Sequence, residues 1–124
     1  VSKPSTVMVV DDEPMVRRVA VRVLTRAGYT VVEANSGEEA LKRFEQEPVS
    51  CLVMDLSMPG LDGVETLAAL RQRAPRVSAI LVSGYASEEV RSRLGDMEAS
   101  VLHKPFRADE LRDAVVLLIG AAQG

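Results

Sequence analysis

The sequence predicts an α/β fold in which a parallel sheet carries helices on both faces. Three observations lead there: short apolar runs rich in β-branched residues, intervening stretches with apolar side chains at helical spacing, and polar residues closing most of the runs. Val7-Met8-Val9-Val10, closed by Asp11-Asp12, reads as a first strand buried on both faces. Val16, Val19, Ala20, Val23, Leu24 and Ala27 then recur at helical spacing, with Arg17, Arg18, Arg22 and Arg26 between them on a solvated face. Asp12 is placed to cap this helix, Pro14 is tolerated in its first turn, and Gly28 ends it. A second strand follows at Tyr29 to Ala34. Ser36 and Glu39 have capping-box spacing ahead of Ala40, Leu41 and Phe44, so a second helix runs to about Glu45.

Cys51-Leu52-Val53-Met54 is a third, wholly apolar strand that ends on Asp55. The turn-forming stretch Ser57-Met58-Pro59-Gly60-Leu61-Asp62-Gly63 leads to a helix carrying Val64, Leu67 and Ala68. Ala79-Ile80-Leu81-Val82 is the fourth strand, running into Ser83-Gly84-Tyr85. A short, poorly amphipathic helix, about Glu88 to Leu94, precedes a fifth strand, Ser100-Val101-Leu102-His103, which ends on Lys104-Pro105. The last helix carries Leu111, Ala114, Val115 and Leu118, and Val116, Leu117 and Ile119 lie off that stripe, with Val116 opposite its centre. Consecutive parallel strands need helical crossovers, and right-handed crossovers distribute the helices over both faces.

Composition narrows the function. With 124 residues, the chain is expected to be one domain, 1–124, its core spanning about 6–120. Apolar residues make up 47% and charged residues 27%, enough to bury a core. A net charge of −3 is the wrong sign for a surface that binds phosphate backbones, so direct nucleic-acid binding is not expected. Cys51 is the only cysteine and excludes an internal disulfide, and no apolar run is long enough to span a bilayer. No signal-peptide pattern occupies Val1 to Thr6; the expected location is cytoplasmic. The first residue is Val rather than Met, as in a piece cut from a longer chain.

In open α/β sheets ligands bind beyond the carboxyl ends of the strands, where Asp11, Asp12, Asp55, Ser83 and Lys104 gather. Taken singly, each has an ordinary reading as a cap, a turn residue, a loop hydroxyl or a solvated charge. Together they define a site. Two carboxylates at 4 Å repel by about 4 kcal/mol at an effective dielectric of 20, more than one lysine offsets in a cluster. The surplus calls for a hard divalent cation, and few carboxylates with room for water suit Mg²⁺. Metal, lysine and hydroxyl together suit a transferring phosphoryl group, with a carboxylate as nucleophile. Asp55, central among them, is the candidate.

Val9-Val10-Asp11-Asp12-Glu13-Pro14, Met54-Asp55-Leu56-Ser57-Met58-Pro59-Gly60-Leu61-Asp62-Gly63, Val82-Ser83-Gly84-Tyr85 and His103-Lys104-Pro105-Phe106 closely resemble the four signatures of two-component response-regulator receiver domains. The resemblance runs through nearly the whole chain. It implies a flavodoxin-like sheet of order 2-1-3-4-5 and a phosphoacceptor that switches conformation to control an output or a relay. By it, Asp55 takes the phosphoryl group from a phosphohistidine on a sensor histidine kinase or histidine phosphotransfer domain. Mg²⁺ is held by Asp12 directly, Asp11 through water, Asp55, and the backbone carbonyl of Ser57, while Ser83 and Lys104 contact the phosphoryl oxygens. Lys104-Pro105 is then a cis peptide. Such a domain is not an enzyme in its own right, though it promotes its own Mg²⁺-dependent phosphoryl transfer and dephosphorylation.

This sequence departs from the family where most members carry Tyr or Phe three residues before the lysine; here Val101 stands. The segments around Ser83 and Lys104 resemble receivers fused to hybrid sensor histidine kinases more than those joined to DNA-binding domains. With Val101 too stiff and small to swing, Tyr85 is expected to be the moving aromatic. His103 matches no family role, and Cys51 reads as a small buried hydrophobe. Two alternatives are weaker. An aspartyl-phosphate hydrolase of the haloacid dehalogenase type carries its nucleophile on the first strand, and a pseudo-receiver would not need the full set of site residues. Nucleotide-binding glycine motifs are absent. Oligomeric state is left open by the sequence.

Overall fold

Five strands, β1 (Thr6–Val10), β2 (Thr30–Ala34), β3 (Cys51–Asp55), β4 (Ser78–Ser83) and β5 (Ser100–His103), alternate with five helices, α1 (Pro14–Arg26), α2 (Gly37–Gln46), α3 (Gly63–Arg73), α4 (Ser87–Leu94) and α5 (Ala108–Ile119). The computed structural model describes residues 5–122. The strands form one parallel sheet in the order β2-β1-β3-β4-β5, the doubly wound arrangement expected.

Strand side chains alternate between faces, which makes two cores. Val7 and Val9, Cys51 and Val53, and Ile80 and Val82 pack with Ala20 and Leu24 of α1 and Leu111 and Val115 of α5. Met8 and Val10, Leu52 and Met54, and Ala79 and Leu81 pack on the other face with α2 (Ala40, Phe44), α3 (Leu67, Leu70) and α4 (Val90, Leu94). Burial on both faces explains why these strands are apolar throughout instead of alternating. Cys51 lies fully inside, and burial pushes its thiol up to about 12, so it behaves as the small hydrophobe expected.

Tertiary contacts narrow or rotate three of the predicted helix faces. On α1, Val19 is 54% exposed, because the buried face is confined to Ala20 and Leu24. On α3, Ala68 is exposed and the buried residues are Gly63, Thr66, Leu67 and Leu70. Gly63 sets that rotation: a Cβ there would lie 2.7 Å from the Asp55 carbonyl oxygen and 2.9 Å from the Leu56 Cα. Helix α3 therefore starts pressed against the end of β3, with the residues at i, i+3, i+4 and i+7 from Gly63 facing inward. On α5, the more exposed apolar side chain is Leu117, at 85%, rather than Val116, at 37%.

Caps differ too. Glu13, not Asp12, is the N-cap of α1, and it makes no side-chain capping bond. Ser36 Oγ accepts from Glu39 N at 3.0 Å, but the Glu39 carboxylate reaches the amide of Asn35 rather than that of Ser36. A complete capping box instead opens α3, where Asp62 and Glu65 each accept from the other's amide, at 2.8 and 3.0 Å. Tyr29 precedes β2; buried, it donates its hydroxyl to the Gly120 carbonyl at 2.7 Å and ties the end of α5 to the start of β2.

Candidate functional site

Strand β1 is flanked by β2 on one side and β3 on the other, so the chain leaves the neighbouring ends of β1 and β3 in opposite directions and opens a crevice there. Asp11 is the first residue past β1, and Asp55 is the last of β3. The register continues the line. Asp55 pairs with Val82, Ser83 pairs with His103, and the Lys104 amide donates to the Ser83 carbonyl at 2.9 Å. Four strand ends thus deliver the predicted residues to one edge of the sheet, and the Lys104-Pro105 peptide is cis.

The carboxylates of Asp11, Asp12 and Asp55 converge, one oxygen from each lying within 4.8 Å of the others. Asp11 and Asp55 are buried, whereas Asp12 is exposed and forms the open side of the cleft. Lys104 Nζ donates to Asp55 Oδ2 at 3.1 Å, and the Ser57 amide donates to Asp55 Oδ1 at 3.1 Å. Two donors therefore hold the Asp55 carboxylate from opposite oxygens. The Ser57 side chain is exposed and makes no such contact. Ser83 is buried, and its Oγ accepts from the Tyr85 amide at 2.9 Å, which ties the β4–α4 loop to the cleft.

Beneath the acids the floor is apolar, lined by Val9, Val16, Val53, Val82 and Phe106. Burial there raises Asp11 from 3.8 to about 6; the Glu13 amide opposes the rise, Asp55 adds to it, Lys104 opposes it and Asp12 adds to it. For Lys104, burial alone would lower the pKa, but the hydrogen bond from its ammonium to Asp55 and the charges of Asp55, Asp11 and Glu13 leave it raised. Lys104 is thus a fixed cation. One ammonium against three carboxylates leaves the cleft with surplus negative charge on hard oxygen donors, a set that fits a metal cation.

Arg17, read from the sequence as solvated, instead donates Nη1 to the Asp11 carbonyl at 2.7 Å and Nε to Glu33 Oε1 at 3.2 Å. His103 and Ser87 share a hydrogen bond of 2.8 Å that joins the end of β5 to the start of α4. Neither was visible in the sequence, because the Arg17–Glu33 and Ser87–His103 pairs each join positions sixteen residues apart, and the third bond runs to a backbone carbonyl, which no side-chain pattern marks. The Asp62–Glu65 box had a signal, an Asp three residues before a Glu at a helix start.

Residues 7–116 match the family model of the response regulator receiver domain. The chain is 41% identical over 117 residues to the sensor kinase CckA of Brucella abortus, covering 92% of this chain and 12% of that protein. It is 29% identical over 117 residues to the response regulator receiver protein CpdR of the same organism, covering 94% and 98%. Among solved structures, the chemotaxis protein CheY4 of Vibrio cholerae superposes with a TM-score of 0.87 at 25% identity, covering 94% of this chain and 99% of that one. No helix among the described residues is long and apolar enough to cross a membrane. The fold, the acidic cleft and these matches together place the chain in the family of response regulator receiver domains, modules of phosphorelay signalling.

Proposed function

We propose that this domain accepts a phosphoryl group on Asp55 from a phosphohistidine of a cytoplasmic sensor histidine kinase or histidine phosphotransfer domain, with Mg²⁺ as its metal. The observation that carries the reading is the convergence of Asp11, Asp12 and Asp55 beside Lys104, itself 3.1 Å from Asp55. Asp12 and Asp55 would hold the cation directly, Asp11 through water, and the Ser57 carbonyl would complete the protein's share. Bound there, Mg²⁺ supplies positive charge against the phosphoryl oxygens.

An Asp55 carboxylate oxygen forms the new bond to phosphorus while the phosphorus–nitrogen bond breaks and its electron pair returns to the imidazole. The Ser57 amide on Oδ1 aims the carboxylate, Lys104 faces the developing charge, and the Ser83 hydroxyl can donate to a phosphoryl oxygen. The same constellation serves hydrolysis, in which a water oxygen forms the new bond to phosphorus while the bond from phosphorus to the Asp55 oxygen breaks, releasing inorganic phosphate and the free carboxylate. Identity of 41% over 117 residues to a segment of a sensor kinase supports the reading of a receiver belonging to a hybrid kinase. The test is intact mass after incubation with Mg²⁺ and a small phosphodonor. A labile gain of one phosphoryl group supports the proposal; no gain, with the protein folded, overturns it.

A phosphoryl group brings about −1.5 to −2 charges, and Ser83 moves toward it, exchanging the bond from the Tyr85 amide. Val101 is partly buried against the core, whereas Tyr85 is 48% exposed. The expected response is therefore concentrated in residues 83–95, whose helix α4 buries only Val90 and Leu94. Hydrogen exchange of free and phosphorylated protein checks this. The largest change should fall on that segment and shrink in Tyr85→Ala; a change centred on β5 and abolished by Val101→Ala would show the other route.

A further inference from the structure

Arg17 connects the acidic cleft to the outer strand of the sheet. It lies in the second turn of α1, its amide donating to the Glu13 carbonyl at 3.0 Å, and its side chain runs back toward the helix N-terminus, the direction helical side chains favour. There Nη1 meets the Asp11 carbonyl at 2.7 Å and Nε meets Glu33 at the end of β2. Two more polar groups of Asp11 are held: its amide donates to the Ala34 carbonyl at 3.1 Å, and Oδ1 accepts from the Glu13 amide at 2.9 Å. Fixing the Asp11 carbonyl fixes the peptide that joins Asp11 to Asp12, and hence the position from which the exposed Asp12 carboxylate enters the cleft.

We propose that Arg17 is a positioning residue for the acidic cluster, setting the Asp11–Asp12 peptide through its bond to the Asp11 carbonyl while Glu33 holds the guanidinium in place. This rests on the reading of the cleft as a Mg²⁺ site. The planar fork of the guanidinium serves both acceptors at once, which a single ammonium cannot do in the same geometry. Glu33 is 51% exposed at its side chain, so the pair adds little to folding stability and its effect falls on the loop.

The experiment measures the melting temperature across a Mg²⁺ titration for the wild type, Arg17→Ala, Arg17→Lys, Glu33→Gln and, as a control, the exposed Arg18→Ala. Arg17→Ala should raise the half-saturating Mg²⁺ concentration roughly tenfold, the order lost when a partner of a metal ligand is removed. Arg17→Lys and Glu33→Gln should raise it less, and Arg18→Ala not at all. Phosphoryl uptake by Arg17→Ala should recover at saturating Mg²⁺, since the nucleophile is untouched. A lower metal-free melting temperature with unchanged half-saturation in Arg17→Ala and Glu33→Gln would make Arg17 merely structural and overturn the proposal. Arg17→Lys and Glu33→Gln carry the same test should Arg17→Ala fail to fold. A wild type indifferent to Mg²⁺ would instead overturn the metal reading of the cleft, and this proposal with it.

Discussion

Asp55→Asn should abolish phosphoryl uptake from any donor while leaving a folded protein. An amide oxygen does not attack phosphorus at neutral pH, and among the described residues no other carboxylate has the same setting at the centre of the cleft, held by the Ser57 amide on one oxygen and by Lys104 on the other. The loss should reach at least about 10³-fold, in line with the removal of a nucleophile elsewhere. Stability should change by no more than about 1 kcal/mol, because losing the partly exposed pair with Lys104 is offset by relief of the repulsion between Asp55 and Asp11. Intact mass after exposure to Mg²⁺ and a phosphodonor checks the first part, and a denaturant melt the second. Stoichiometric labelling of the variant would move the acceptor to another residue.

Mg²⁺ should stabilise the protein strongly at neutral pH. Asp11 in the metal-free cleft has its pKa raised from 3.8 to about 6, chiefly by burial. A carboxyl whose folded pKa lies above its unfolded one holds its proton more tightly when folded, so its contribution to stability falls as pH rises through the window from about 4 to about 6. The full penalty, on the order of 3 kcal/mol, is present above that window and absent below it. Asp11→Asn should remove this fall, leaving a metal-free protein less sensitive to pH between 4 and 6. A cation in the cleft opposes the same penalty: at a hundredfold excess over its dissociation constant it adds about 2.7 kcal/mol, or about 10 °C in melting temperature for a domain of this size. Asp12→Ala should erase the Mg²⁺-dependent rise, since Asp12 is the exposed carboxylate at the open side of the cleft. An undiminished rise in that variant would place the cation elsewhere.

The sequence alone determined the alternation of strands and helices, the burial of the sheet on both faces, and the residues that gather at its carboxyl edge. These are local matters. A run such as Val7 to Val10 declares its burial by composition, and an aspartate that follows such a run must lie at the strand's end wherever the strand finally packs. Tertiary structure alone decided how far each helix face is covered and which polar groups meet across the chain. Val19 and Ala68 fit an apolar stripe by spacing yet face solvent, because coverage depends on where neighbouring elements stand and on the contact of Gly63 with the end of β3. Arg17 has the same local setting as Arg18 in sequence, and only the folded chain, by bringing the Asp11 carbonyl and Glu33 within reach of one of them, separates a residue bonded to the edge of the cleft from one that faces solvent.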